Sequence, residues 1–390
     1  MVRPPEPIRP QNFIGLGDEI AVGEKQPLHP PAQFLLAEAG IPGLLGRIVF
    51  AYFIHLNSQN NMSVLLTYMP DIGRKRNILS HLGDIRKDNY MASSTFHDRD
   101  GYIWYDGEMV DWRDAKLHVL SHALHYASSV FEGDRVYGGN IFKLTEHTER
   151  LFNSARILGF EIPYTVAEID AACIETCKAN NIVDGYVRPV AWRGSEMMGV
   201  SAQETKIHVA IAAWPWPSYF SPEARMKGIR LKTASWRRPA PDTAPVHAKA
   251  AGLYMICTIS KHAAEAEGYE DALMLDWQGR VAECTGANIF LVMKDGKIHT
   301  PTPDCFLDGI TRRTVIELAQ KRGYEVVERR IMPDELPLAQ EIFVTGTAAE
   351  VTPVGAIDNY TFTVGDVTKT LMEDYDALVG KNSAGKASAA

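Results

Sequence analysis

The chain has 390 residues, 46% of them hydrophobic and 23% charged, with a formal net charge of −8. That balance, over a length that can bury sizeable cores, is globular and excludes a disordered, collagenous or disulfide-stapled chain. It also argues against nucleic acid or an anionic membrane as partner, because both ask for a concentrated basic surface.

The first 90 residues differ from the rest. Eight of the 22 prolines fall before residue 43, and residues 1–90 hold nine Lys/Arg against eight Asp/Glu. Their net of +1 leaves −9 on the 300 residues that begin at Met91. This contrast predicts an N-terminal extension over 1–90, either a disordered tail or a misassigned start. Its most apolar stretch, residues 41–54, is interrupted by Pro42, Gly43, Gly46 and Arg47. It falls short of the roughly 20 residues that a membrane span needs. Glu6, Asp18, Glu19, Glu24 and Glu38 argue against a transit peptide, which is poor in acids. The five cysteines, Cys173, Cys177, Cys257, Cys284 and Cys305, are odd in number and lack paired CxxC spacing. They read as reduced thiols in a cytoplasmic protein.

From residue 101 the local signals are clear. Residues 101–110 alternate around Asp106-Gly107 and predict a hairpin. Thr145 reads as the N-cap of a helix to Leu158 with Gly159 at its stop, and a second helix covers 166–180. Strands follow over 186–192 and 206–213. Pro215 and Pro217 remove ladder donors, so residues 214–220 cannot extend the strand and mark a junction. Beyond it come a strand over 229–235, a helix over 250–267 closed by Gly268, and strands over 272–276 and 288–293. Asp295-Gly296 turns the chain into 297–300, a helix runs over 311–322, and 341–345 forms another strand. The tail 382–390 is small and polar and is expected to fray. Helices and strands mix without regular βαβ alternation, which predicts an α+β fold in two domains. Their expected bounds are 101–213 and 225–378, with a linker over 214–224.

Several segments suit chemistry. Leu307-Asp308-Gly309-Ile310-Thr311 leads straight into an amphipathic helix, whose unpaired amides and positive dipole end suit a phosphate. Taken alone it is more simply a helix cap. Gly346-Thr347-Ala348-Ala349 ends a strand in small residues and has similar character. His118, His122 and His125 lack a completing ligand pattern, so no metal is expected. Lys249 sits in Ala248-Lys249-Ala250-Ala251-Gly252, with no acid nearer in sequence than Asp242. Such surroundings suit a planar ligand and a lowered amine pKa, as in Schiff-base lysines, although taken alone the residue reads more simply as an ordinary surface lysine.

Taken together, these blocks resemble the class IV (fold type IV) pyridoxal-phosphate enzymes, most closely the branched-chain amino acid aminotransferases. The resemblance covers residues 101–378. It rests on Tyr126-Ala127-Ser128-Ser129-Val130-Phe131-Glu132-Gly133, Glu146-His147-Thr148-Glu149-Arg150-Leu151 and Tyr186-Val187-Arg188-Pro189. Ala248-Lys249-Ala250, Glu283-Cys284-Thr285-Gly286-Ala287-Asn288, the Leu307 segment and Gly346-Thr347-Ala348-Ala349-Glu350 complete it, in the same order.

The resemblance implies an active site in the cleft between two domains, with pyridoxal 5'-phosphate held by Lys249, which also moves the substrate proton. It implies that Glu283 faces the pyridine nitrogen, Tyr254 the phenolic oxygen, and Leu307 the ring. Arg150, the amides of Ile310 and Thr311, and the Thr347 hydroxyl then hold the phosphate. Tyr126, Phe131, Tyr186, Trp216 and Tyr219 line the side-chain pocket, and Arg188 admits the distal carboxylate of glutamate. The Gly133 region and the amides of Thr347 and Ala348 meet the α-carboxylate. The implied reaction is ping-pong transamination of Leu, Ile and Val with 2-oxoglutarate, in a homodimer or hexamer. The rival readings are D-amino acid or (R)-amine transaminases and aminodeoxychorismate lyase. Arg188-Pro189-Val190 departs from the Arg-x-His carboxylate trap of the D-specific enzymes. One departure from the branched-chain pattern is Asp134, an acid directly after Gly133 that is expected to disfavour anionic substrates.

Overall fold

The computed structural model describes residues 95–216 and 226–381, together with the backbone of three strands before them. Met1–Tyr90 and Met91–Ala390 are separate units. In the first, β1 (Phe34–Ala39), β2 (Ile48–Leu56) and β3 (Met62–Thr67) form an antiparallel sheet in chain order. The β-branched and aromatic run of β2 favours such pairing. The expectation for the rest of residues 1–90 lies outside the described residues.

The second unit holds two sheets. The first contains β4 (Tyr102–Tyr105), β5 (Glu108–Asp111), β6 (Ser129–Phe131), β7 (Asp134–Tyr137), β8 (Asn140–Ile141), β9 (Gly185–Arg193) and β10 (Ile207–Pro215). Its order is β5-β4-β10-β9-β7-β8, with β6 also on β9. Three helices accompany it: α1 (His122–Tyr126), α2 (Leu144–Ile157) and α3 (Val166–Ala179). A capping box between Thr165 and Glu168 starts α3, and Ile169, Ala172, Cys173, Thr176 and Cys177 turn one face into the core.

The second sheet runs β13-β12-β11-β18-β17-β14-β15-β16, with β19 on β18 and a further β13–β14 pairing. These are β11 (Ile229–Thr233), β12 (Asp271–Leu275), β13 (Val281–Cys284), β14 (Asn288–Met293), β15 (Ile298–Pro301), β16 (Val326–Arg329), β17 (Ala339–Gly346), β18 (Glu350–Ile357) and β19 (Tyr360–Thr361). Helices α4 (Tyr254–Ala266), α5 (Ile310–Lys321) and α6 (Asp366–Leu378) complete the unit. The mixture is α+β, with parallel pairs at β11–β12, β11–β18 and β15–β16. Tyr137 and Phe142, from the β7–β8 hairpin, pack among Phe290, Phe343, Leu371 and Tyr375, so the hairpin enters the core of the larger sheet.

Local differences from expectation have local causes. Thr145 does not cap α2: the helix starts one residue earlier, behind Lys143 at φ 52°, and the Thr145 hydroxyl donates to Asp170 instead. Strand β10 continues through Trp214 to Pro215, which pairs with Gly185 at the last position of the ladder. A terminal proline costs no interior hydrogen bond. The helix expected from Ala250 opens as a 3₁₀ turn at Ala251–Leu253 before α4. Residues 217–225 and the tail 382–390 lie outside the described residues.

Candidate active site

A pocket opens where the two sheets meet, lined by Arg150 from one side and by Lys249, Glu283 and Thr345 from the other. Lys249 lies in the segment that enters α4 and is stitched to the other sheet. Its N–H donates to Ser154 Oγ at 2.9 Å, its carbonyl accepts from the Phe131 N–H, and Ala250 bridges to Val130. Its Nζ donates to Tyr254 Oη at 2.8 Å and lies 5.0 Å from the centre of the Phe131 ring. Contrary to the sequence expectation, the amine is shifted upward. Burial opposes its charge, but the oxygen of Tyr254, with Glu132 and Tyr186, outweighs burial and the repulsion from Arg150. The alanines around Lys249 are neighbours in sequence; Tyr254 stands at the start of α4, while Glu132, just after β6, Tyr186 on β9 and Arg150 on α2 arrive through the fold.

One side of the pocket is formed by the start of α5 and the end of β17, and backbone amides at a helix start suit an anion. Gly309 caps α5 and precedes Ile310 and Thr311. A Cβ on Gly309 would lie 2.2 Å from Asn288 Oδ1, so only glycine allows this approach. Across the pocket, Gly346 ends β17 and Thr347 follows it, and the hydroxyl of Thr345 is buried in the pocket wall with no hydrogen-bond partner among the described residues. Arg150, on α2, and Leu307 also line the pocket.

Two buried glutamates flank the site. Glu132 accepts from Arg150 Nε at 2.7 Å and Nη2 at 2.8 Å, and lies 2.7 Å from His147 Nδ1. Burial pushes its carboxyl up, but these cations win and hold it well below the carboxylate range. Glu283, on β13, has Arg238 Nε 3.3 Å from one oxygen and accepts a long hydrogen bond of 3.5 Å from Asn288 Nδ2 on the other. Burial dominates there and pushes its carboxyl up to about 7, against Arg238 and Lys249. Glu283 is therefore a buried pocket residue whose side chain is only 12% exposed.

The expected substrate residues separate into groups. Tyr186, Trp214 and Trp216 form an aromatic cluster against which Ala348 packs, so the cluster meets the turn after β17. Gly133 lies under Tyr186, whose hydroxyl occupies the position a Cβ would need. Phe131 stands edge-on to Tyr254 at 4.8 Å. Arg188 covers Phe131 at 4.9 Å and Tyr186 at 5.4 Å, and faces a neighbouring groove of about 890 Å³. Tyr126 is 44% exposed and stacks on His122, apart from the residues that line the pocket. Tyr219 lies outside the described residues.

Asp134 does not face the pocket as its sequence position suggests. It is fully buried with Oδ1 3.0 Å from His147 Nδ1, and burial raises its carboxyl into the neutral range. His118, His122 and His125 do not converge: each hydrogen-bonds within the chain, to the Leu120 N–H, to Ser128 and the Gly199 carbonyl, and to the Val119 carbonyl. Glu132, Asp134 and His147 do cluster, but Arg150 stands against them.

Sequence reasoning missed Arg238 and Asn288. Arg238 is 3% exposed beside Glu283, and Asn288 Nδ2 donates to the Leu307 carbonyl at 3.0 Å. In sequence Arg238 is one of a pair with Arg237, and nothing in their order says which is buried. Asn288 stands within a block whose spacing was visible.

The comparisons with known proteins agree with this geometry. A family model described as amino-transferase class IV matches residues 129–357. The branched-chain-amino-acid aminotransferase of Pseudomonas aeruginosa is 45% identical over 295 residues, covering 74% of this chain and 96% of its own length. The crystal structure of the Escherichia coli branched-chain amino acid aminotransferase is 40% identical, with a TM-score of 0.69 over 72% of this chain and 95% of its own. That of the branched-chain amino acid aminotransferase from Thermobaculum terrenum, a holo-form with pyridoxal phosphate, is 31% identical, with a TM-score of 0.66 over 72% and 94%. The chain belongs to the class IV aminotransferases, among the branched-chain-amino-acid aminotransferases.

Proposed function

We propose that this class IV aminotransferase transfers the amino group of L-leucine, L-isoleucine or L-valine to 2-oxoglutarate by a ping-pong reaction. The observation that carries the reading is Lys249 Nζ at the base of a pocket with an anion cradle on one side and Glu283 on the other. The pocket fits pyridoxal 5'-phosphate. The unpartnered Thr345 hydroxyl, the Gly309 approach and the start of α5 suit its phosphate, while Glu283 suits a ring nitrogen. When bound, the cofactor supplies the electron sink for the pair released at the substrate Cα.

The chain supplies the remaining tasks. Lys249 Nζ anchors the cofactor and takes the Cα proton, aimed by Tyr254 Oη at 2.8 Å. With its carboxyl near 7, Glu283 shares a proton with a basic ring nitrogen at little cost. Arg150, the Ile310 and Thr311 amides and the Thr347 hydroxyl hold the phosphate, and Leu307 covers the ring. Phe131, Tyr186, Trp216 and Tyr219 favour branched apolar side chains by burial, and Arg188 serves the distal carboxylate of glutamate. The Gly133 region and the Thr347 and Ala348 amides receive the α-carboxylate.

Exposed Leu117, Val119, Leu120, Leu124 and Tyr126 lie within ten residues of chain and support a homodimer or hexamer that would cover them. All five cysteines are free and buried, which supports a reducing, cytoplasmic setting. No helix among the described residues is long and apolar enough to cross a membrane. The two sheets of the second unit are read as two domains near the expected bounds of 101–213 and 225–378, with the first extended to Pro215 where β10 ends.

The test is a two-half-reaction titration against L- and D-amino acids, followed by absorbance. Leucine, isoleucine and valine should each convert the holoenzyme, and 2-oxoglutarate should restore it with glutamate formed. Conversion by D-amino acids alone, or pyruvate release from aminodeoxychorismate, would overturn the reading.

A further inference from the structure

Glu350 follows the turn that carries Thr347 and Ala348, and its backbone is strained. Its φ is 56°, left-handed for a residue with a full side chain, and its pairing with Gly346 closes the β17–β18 hairpin. The side chain is buried and tied to the other sheet. Tyr137 Oη, at the end of β7, donates to Glu350 Oε1 at 2.8 Å. Arg135 Nη2 stands 4.0 Å from the same oxygen, and Lys381 donates to the other. Arg135 also donates from Nη1 to the Trp216 carbonyl at 2.7 Å, so one residue of β7 reaches both the aromatic cluster and the turn. Tyr375, on α6, hydrogen-bonds Tyr137 and Thr311, which extends the connection to the start of α5.

We propose that Glu350 is a positioning residue for substrate binding. Its carboxylate, held by Tyr137 and Arg135, fixes the Thr347–Ala348 amides at a set distance from the aromatic side-chain pocket. The strained φ aims those amides, and the bonds to β7 keep the aim when substrate is absent. The assignment rests on the proposed reading that these amides receive the substrate α-carboxylate. It adds that their placement is set from the opposite sheet, so Glu350 governs affinity and chain-length preference without touching substrate.

The experiment uses the holoenzyme and 4-methylpentanoate, a leucine-shaped acid without an amino group to react. Its dissociation constant is measured by calorimetry for the parent, Tyr137→Phe and Glu350→Gln, together with kcat and KM for leucine and cofactor content. Tyr137→Phe keeps the ring in its packing and removes one oxygen, so it remains folded if Glu350→Gln does not. Both variants should bind the acid about tenfold more weakly, because small misplacements of a binding group carry large penalties. KM for leucine should rise in the same proportion, with kcat within about twofold of the parent and cofactor content unchanged. Unchanged binding in Tyr137→Phe, or a lower kcat at unchanged binding, would overturn the role of Glu350. Failure of the parent itself to bind the acid or convert leucine would overturn the functional reading along with it.

Discussion

Glu132 and Glu283 are both buried carboxyls beside an arginine in one site, yet they are displaced in opposite directions. Glu132 meets Arg150 through two hydrogen bonds of 2.7 and 2.8 Å and has His147 on its other flank. Glu283 meets Arg238 only at 3.3 Å, and burial pushes it up to about 7. An arginine nearby does not decide the state of a buried acid; the hydrogen-bond geometry against the desolvation cost does. Glu132 is a permanent anion that fixes a cation, whereas Glu283 is poised to exchange a proton. Glu283 lines the pocket itself, whereas Glu132 acts on it through Arg150.

Replacement of the poised acid should have the largest effect. Glu283→Gln is expected to lower kcat by about 100-fold or more, within the usual range for losing a proton-handling group. Cofactor content should stay near that of the parent, read from absorbance after gel filtration. Equal kcat in the variant would remove Glu283 from the chemistry.

Breaking the permanent anion should instead cost structure and affinity. Glu132→Gln strips the carboxylate from buried Arg150 and is expected to destabilise the protein by roughly 3 kcal/mol or more. Denaturant melts of the cofactor-free protein measure that loss, and a cofactor titration should show weaker retention with a smaller change in kcat.

The opposite displacements also have opposite signs in a pH titration. A carboxyl raised on folding makes the folded chain bind more protons, so its contribution to stability is highest below pH 4.5 and falls as pH rises toward 7. For Glu283 the fall amounts to roughly 3 kcal/mol in the cofactor-free protein. Asp134, also raised by burial, acts in the same direction. Glu132, held low, contributes stability that is fully present above the ordinary carboxylate range and is lost progressively as pH falls below about 4.5. Glu283→Gln should therefore flatten part of the slope between pH 4.5 and 7. An unchanged slope would show that its carboxyl is not displaced.

The smallest effect is expected at Ser154, whose hydroxyl accepts the Lys249 N–H at 2.9 Å. Ser154→Ala should cost about 1–3 kcal/mol of stability, as for a buried donor left without its partner. Its effect on kcat should be far below that of Glu283→Gln.

How much of this was legible depended on how local each cause is. Helix α3 was readable because its capping box and apolar stripe lie within one stretch of chain. The start of α5 was readable because Gly309 and Thr311 announce it within three residues. The Lys249 shift was misread because alanine neighbours suggest a dry amine, whereas Tyr254, five residues on, and Glu132 and Tyr186, brought by the fold, supply opposing charge. Asp134 was misplaced for a similar reason. Next to Gly133 it reads as a pocket residue, but β7 turns its side chain toward His147 on α2. Arg238 carries no mark in sequence at all, since its burial follows from where α4 and β13 meet.

The central claim is that Lys249 is the residue that anchors the cofactor. Borohydride reduction of the purified holoenzyme, followed by peptide mapping, tests it most directly. A single phosphopyridoxyl mass on the peptide containing Lys249, absent from Lys249→Ala, is the predicted result. A full adduct on another lysine, or none on a protein that still transaminates leucine, would contradict it.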